Sequence, residues 1–169
     1  MNSPVLFREV QRFRQWWLWL VIIIAPLMVW YSTYRRFVLG EHYGRRQAPD
    51  GVQLTIWLLV GIGLPLLFYC AHLVTEVRTD GIYLRFIPFH FSFLRFPLNS
   101  IRKCEARIYR PILEYGGWGI RYGFNGKAYN VSGNQGLQIE LNDGKRILIG
   151  TQQPLDFVSA LRSVGLSSS

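Results

Sequence analysis

The sequence predicts an α-helical hairpin of membrane-crossing length followed by an all-β domain. In that domain about seven antiparallel strands form a small barrel capped by a C-terminal helix. Three observations predict this. The first half holds two long runs without a charge, residues 16–34 and 52–74. From residue 75 onward, short segments of alternating polarity are punctuated by Gly, Asn and Asp. The chain closes on one amphipathic helical pattern before Gly165.

Composition points the same way. Half of the 169 residues are hydrophobic and 15% are aromatic, yet only 17% are charged, with a formal net charge of +9. Soluble domains carry about a quarter of charged residues, so the deficit and the apolar runs both indicate a bilayer. The positive balance suits an anionic partner, and beside two apolar runs the nearest is a lipid surface. Cys70 and Cys104 are too few for a disulfide framework and read as buried or interfacial thiols in a reducing compartment.

Residues 1–15 read as a juxtamembrane segment. The first run, "WWLWLVIIIAPLMVWYSTY", reaches roughly 28 Å as a helix. Trp16, Trp17 and Trp19 gather at one end, and Trp30, Tyr31 and Tyr34 at the other, as interfacial belts do. The flanking "YRRF" offers no small-residue cleavage site, so the span is retained. Residues 35–51 connect it to the second run, "VQLTIWLLVGIGLPLLFYCAHLV", which places His72 near the end of a span. Pro26 and Pro65 lie mid-span and predict kinks. Gly61 and Gly63 are not spaced as a helix-dimer motif, which leaves the oligomeric state open.

Two spans put both termini on one side. Arg8, Arg12, Arg14, Arg78, Arg85 and Arg95 flank the spans on the terminal side, against Arg35, Arg36, Arg45 and Arg46 in the connection. The positive-inside rule therefore favours cytoplasmic termini in an inner (plasma) membrane.

In the soluble part, residues 75–165, hairpin turns are expected at Asp80-Gly81, Asn125-Gly126 and Asn142-Asp143-Gly144. "PLDFVSALRSVG" is a helix with Pro154 in its first turn, and Leu155, Val158, Leu161 and Val164 on the face toward the sheet. Residues 166–169 form a tail. Seven strands and a final helix is the order of a pleckstrin-homology-like barrel, with an OB-like or unrelated small barrel as the alternatives. The segments "TEVRTDGIYLRF", "EARIYRPILEYGGWGIRYG", "KAYNVSGNQGLQIEL" and "DGKRILIGTQQP" also resemble an uncharacterised bacterial two-helix membrane family. The soluble part of that family is similar to bacterial pleckstrin-homology domains. The resemblance implies a fold, a membrane location and a binding role, and brings no catalytic residues.

Chemistry-bearing patterns are scarce. His42, His72 and His90 lie far apart and no metal-ligand spacing occurs. No Ser sits in a nucleophile elbow, and no cofactor is implied. The glycine-rich stretch "EYGGWGIRYGFNGKAYNVSGNQG" misses phosphate-loop spacing and precedes strand rather than helix, so its glycines read as bends in a curved sheet. Two candidate sites remain. Arg85, Pro88, Phe89, Phe91, Phe93 and Arg95 surround a loop near 87–94, which returns to the bilayer after the first hairpin. Arg102, Lys103, Arg107, Arg110 and Arg121 suggest an anion or partner face. The cations do not interleave with aromatics as in a nucleic-acid site. The expected function is that of a non-enzymatic, membrane-anchored module recognising a protein partner. The alternatives are an anionic-lipid-binding domain and an accessory subunit of a larger membrane complex.

Overall fold

The structure, a computed structural model, describes residues 3–40 and 49–166. His42, Arg45 and Arg46 lie outside the described residues. The chain forms two compact units: Phe13–Cys70, and a second that joins the N-terminal residues up to Arg12 with Ala71 onward. The helical unit is therefore inserted into the β unit rather than preceding it.

The helical unit contains α1 (Trp16–Phe37) and α2 (Asp50–Cys70), both long and apolar enough to cross a membrane. Three polar clasps join them. Arg36 Nη2 meets Asp50 Oδ1 at 2.5 Å, and Gln53 Nε2 donates to Ser32 Oγ (3.1 Å) and Thr33 Oγ1 (3.0 Å). The third clasp follows from a proline. Pro65 has no N–H to give Gly61, four residues back, and the preceding turn widens into a π-helix over Trp57–Gly63. The indole Nε1–H of Trp30 donates to the Gly61 carbonyl at 3.1 Å, while the Trp30 ring packs on Trp57 with centroids 5.8 Å apart.

The second span ends earlier than its apolar run suggests. Residues 72–78 form a strand, and His72 opens it instead of closing a helix. The run of apolar residues continues past Cys70 because that strand is buried on both faces, so it lacks the alternation of a one-sided strand.

Among the described residues the β unit has nine strands in two sheets, where about seven in a closed barrel were expected. The first sheet is an antiparallel meander of β1 (Val5–Arg12), β2 (His72–Arg78), β3 (Gly81–Ile87) and β4 (Leu94–Pro97). Further along are β5 (Ile101–Ile108), helix α3 (Pro111–Tyr115), β6 (Gly119–Gly123), β7 (Gly126–Asn130), β8 (Gln135–Leu141) and β9 (Arg146–Gly150). These strands form the second sheet in the order β5-β8-β9-β7-β6, with β7 parallel to β9. The two additional strands are β1, expected as a juxtamembrane segment, and the short β4.

The hairpin turns fall where expected within a residue. Arg78 pairs with Gly81, Gly123 with Gly126, and Glu140 with Arg146. At Gly126 a side chain is impossible: φ is +98°, and an added Cβ would lie 2.1 Å from the Arg146 carbonyl oxygen. Gly116 ends α3 in the left-handed conformation, so the glycine-rich stretch leads out of a helix into a strand.

The C-terminal helix α4 (Pro154–Ser163) packs on β1, β2 and β8. Its buried residues are Phe157, Ala160 and Leu161; Leu155, expected on the inner face, is 84% exposed. The rotation has a physical cause in β1, whose Phe7 stacks on Phe157 with centroids 5.1 Å apart and rings nearly parallel. A buried polar seam fixes β1 further. Gln11 Nε2 donates to the Gly150 carbonyl (2.6 Å), Thr151 Oγ1 to Glu9 Oε2 (2.6 Å), and the Gln152 N–H to Glu9 Oε1 (2.8 Å).

Two outcomes are expected. Phe157→Ala removes a fully buried ring and lowers stability by about 3–5 kcal/mol in chemical unfolding of the β unit. Trp30→Phe keeps the ring but leaves the Gly61 carbonyl without its donor. It destabilises the hairpin by about 1 kcal/mol, measured by denaturant titration of the full chain in detergent.

Candidate functional site

The alternation of β2 and β3 puts one set of charged and aromatic side chains on the outer face of the first sheet. Glu76, almost fully buried, pairs with Arg78 (2.6 Å) and Arg8 (3.5 Å). The Arg78 guanidinium lies 4.4 Å from the Tyr83 ring centroid, and that of Arg85 lies 4.7 Å from Phe93. Arg95 pairs with Asp80 at 2.7 Å, and the Tyr83 hydroxyl donates to the same carboxylate oxygen. That hydrogen bond, foremost, holds the Asp80 carboxyl below its usual pKa and raises the Tyr83 phenol. Arg85 and Arg95, expected to flank a loop near 87–94, lie on β3 and β4, and Phe93, at the end of the turn between those strands, joins them in a cation–π ladder.

Pro88, Phe89 and Phe91 are placed differently. They sit in the turn between β3 and β4, where Phe89 is 58% and Phe91 96% exposed. The turn is tied at its base. The His90 N–H donates to the Phe86 carbonyl (2.8 Å), and the Phe86 N–H donates back to His90 Nδ1 (3.3 Å). The His90 ring also packs on Tyr129 of β7. Burial first, and the charge of Lys127 second, pull the His90 pKa below its ordinary value of 6.5. A neutral imidazole is also what the geometry needs, because Nδ1 must accept a hydrogen bond.

Of the five cations proposed as an anion face, three pair with carboxylates. Arg102 pairs with Glu140 (3.2 Å), Lys103 with Glu105 (2.9 Å) and Arg107 with Glu114 (2.8 Å). Arg121 donates to the Trp118 carbonyl (3.0 Å). The Arg110 backbone N–H caps against Glu114 Oε1 (2.7 Å). Lys103 and Arg107 line a shallow cavity of about 290 Å³ together with Glu105, Glu140 and Arg146, so its charge is mixed. Among the described residues no three His, Cys, Asp or Glu side chains gather as a metal site. Burial raises the Cys104 thiol to about 12, which makes it a packing residue rather than a nucleophile.

Between β5 and β8 the chain inserts α3, β6 and β7. The insertion seals the second sheet on one side through Tyr109, Tyr115, Ala128 and Leu148. It leaves large apolar side chains in solvent on the other: Ile112 (65% exposed), Leu113 (72%), Tyr122 (77%) and Phe124 (103%). Helix and hairpin touch directly, since a Cβ at Gly123 would lie 2.1 Å from the Glu114 carbonyl oxygen.

A family described as "Family of unknown function (DUF6141)" matches residues 1–168. The chain belongs to that family. No curated protein and no solved structure matches it. The match takes in β1 and the insertion as well as the helices, so DUF6141 covers both units and not the soluble part alone.

Two sets of residues in this DUF6141 chain stand outside the sites expected from sequence. Glu9, Gln11 and Thr151 escaped because polar residues at the inward positions of β1 hide its alternation. Leu113 and Phe124 carried a readable signal: apolar side chains beside a helix cap and in a two-residue turn, where nothing in the local pattern buries them.

The His90 pKa gives a checkable pH dependence. Its folded value is depressed, so its stabilising contribution is complete above the unfolded value near 6.5 and is lost as pH falls through the folded value. NMR titration of the imidazole is expected to give a midpoint below 6.5, with the Phe86 amide resonance moving at the same midpoint. A midpoint at or above 6.5 contradicts the closed turn.

Proposed function

We propose that this chain is a non-enzymatic, membrane-anchored binding protein. Its two helices cross the inner membrane and hold a pleckstrin-homology-like domain at the cytoplasmic face, where it recognises a protein partner. Two arguments support the architecture. With the β6–β7 insertion set aside, the β unit has a four-stranded meander, the antiparallel set β5-β8-β9 and a final helix. That is the strand-and-helix order of the pleckstrin-homology-like class. Arg12 also pairs with His72, so the two ends of the helical insertion lie on the same side of any bilayer, and an even number of crossings follows.

The observation that carries the partner reading is the exposed apolar surface of α3 and the β6–β7 turn. A monomeric domain seldom leaves Leu, Ile, Tyr and Phe in solvent on neighbouring elements. Aromatic side chains of this kind are the usual anchors of protein interfaces. The hairpin is also dispensable to the order of the remaining strands, as a recognition element on a rigid frame would be.

The test is affinity capture of the full-length chain from its native membrane, with and without Leu113→Asp and Phe124→Asp. Both positions are largely exposed, so the fold is expected to survive. The expected result is a discrete partner recovered with the parent chain and lost with the double variant. Recovery of the same proteins by both chains overturns the assignment.

A further inference from the structure

We infer that the turn between β3 and β4 is a lipid-binding site: Phe89 and Phe91 enter the interfacial layer of the bilayer, with Arg12 and Arg85 meeting anionic headgroups. This inference rests on the reading of α1 and α2 as membrane spans, and concerns a surface apart from the α3 insertion.

Chain connectivity carries the argument. Cys70 ends α2 and His72 opens β2, so at most about 7 Å of chain separates their α-carbons. His72 pairs with Ile87 on one side and with Arg12 on the other. Paired strands lie about 5 Å apart. The end of the sheet where the chain leaves for the helices, and returns from them, is therefore also the end where the 88–92 turn begins. Ile87 is thereby held within about 12 Å of Cys70, close enough for the turn to reach the headgroups of a bilayer that α2 crosses.

The turn has the composition of an interfacial contact. Phe91 is almost wholly exposed and Phe89 more than half, an unfavourable state in water for two aromatic rings. The reciprocal hydrogen bonds between Phe86 and His90, and the packing of His90 on Tyr129, hold the base of the turn. Aromatic rings at headgroup depth next to cations are the usual pattern of membrane-surface contacts. Arg12 and Arg85 stand at the same end of the sheet, Arg85 on β3 itself, two residues before its end, and Arg12 on β1, two strands away. Arg85 has its Nε buried without a hydrogen-bond partner while its guanidinium lies over Phe93. Arg85 is half-buried, and a lipid phosphate can accept from the part of its guanidinium that stays exposed.

The experiment uses the full-length chain with Cys70→Ser, reconstituted in nanodiscs of phosphatidylcholine alone or mixed with phosphatidylglycerol. Cys104 is buried and stays in place. Nitroxide labels are placed at Phe91→Cys, at Leu58→Cys in mid-span, and at Asp143→Cys. The last position lies beside Ser100, past the far end of β4, where Asn142 N bonds the Ser100 carbonyl. Accessibility to oxygen and to an aqueous nickel reagent reports depth. The expected result is a severalfold loss of nickel accessibility at 91 relative to 143. That loss should be larger with phosphatidylglycerol and reduced there by Arg85→Gln or Arg12→Gln. A buried label at 58 with a fully aqueous label at 91 overturns the inference and leaves the spans standing. An aqueous label at 58 removes the spans and the inference with them. Equal depth in both lipids, unchanged by the arginine variants, overturns the role given to the arginines.

Discussion

The pairing of β1 with β2 is the constraint from which the rest of the molecule follows. These strands are adjacent in the sheet but separated in the chain by the whole helical unit. Closing so long a connection costs conformational entropy, which rises slowly with length. The helices reduce that cost, because a hairpin clasped by Arg36–Asp50, Gln53 and Trp30 already brings its own ends back together. In return β1 supplies Phe7 for α4 to stack on, and Glu9 and Gln11 to receive the chain after β9. Without β1 the first sheet would present the both-faces-buried strand β2 as a raw edge.

Much of this was legible in residue patterns. The two long apolar helices, the turn residues at Gly126 and Gly144 and the start of α4 at Pro154 follow from local chemistry, which operates within a few residues. What was not legible depends on distant partners. The strand β1 disguises itself by facing Glu9 and Gln11 inward, and those positions make sense only beside Gly150 and Thr151. The apolar run overshoots α2 by four residues because a strand buried on both faces and a long apolar helix have the same composition. The face of α4 turned because Phe157 has a ring to meet across the sheet, and the helical periodicity alone cannot report that ring. At the candidate sites the aromatic turn was visible as a run of Phe. The pairing of Arg102, Lys103 and Arg107 with carboxylates was not, since two of the three acids come from other elements.

The distribution of charge and exposed apolar surface separates the two binding readings. The cations of β5 are matched by nearby carboxylates, which leaves that face mixed and solvated, worth little as an electrostatic attractor. The cations of the first sheet are held over aromatic rings, and the end of that sheet where the chain joins the helices also leads into the turn with the exposed phenylalanines. The apolar residues of the insertion lie on other elements, α3 and the β6–β7 turn. Under the two proposals these two surfaces serve different partners.

The same strand pairing sets the order in which the protein can be completed. During synthesis β1 emerges first and must wait, unpaired, until both helices and then β2 have been made. Its inward residues find Gly150 and Thr151 later still. The β unit can therefore close only in chains whose helical hairpin has brought β2 back to β1. Under the proposed reading of α1 and α2 as membrane spans, completion of the β unit would report that both helices had inserted.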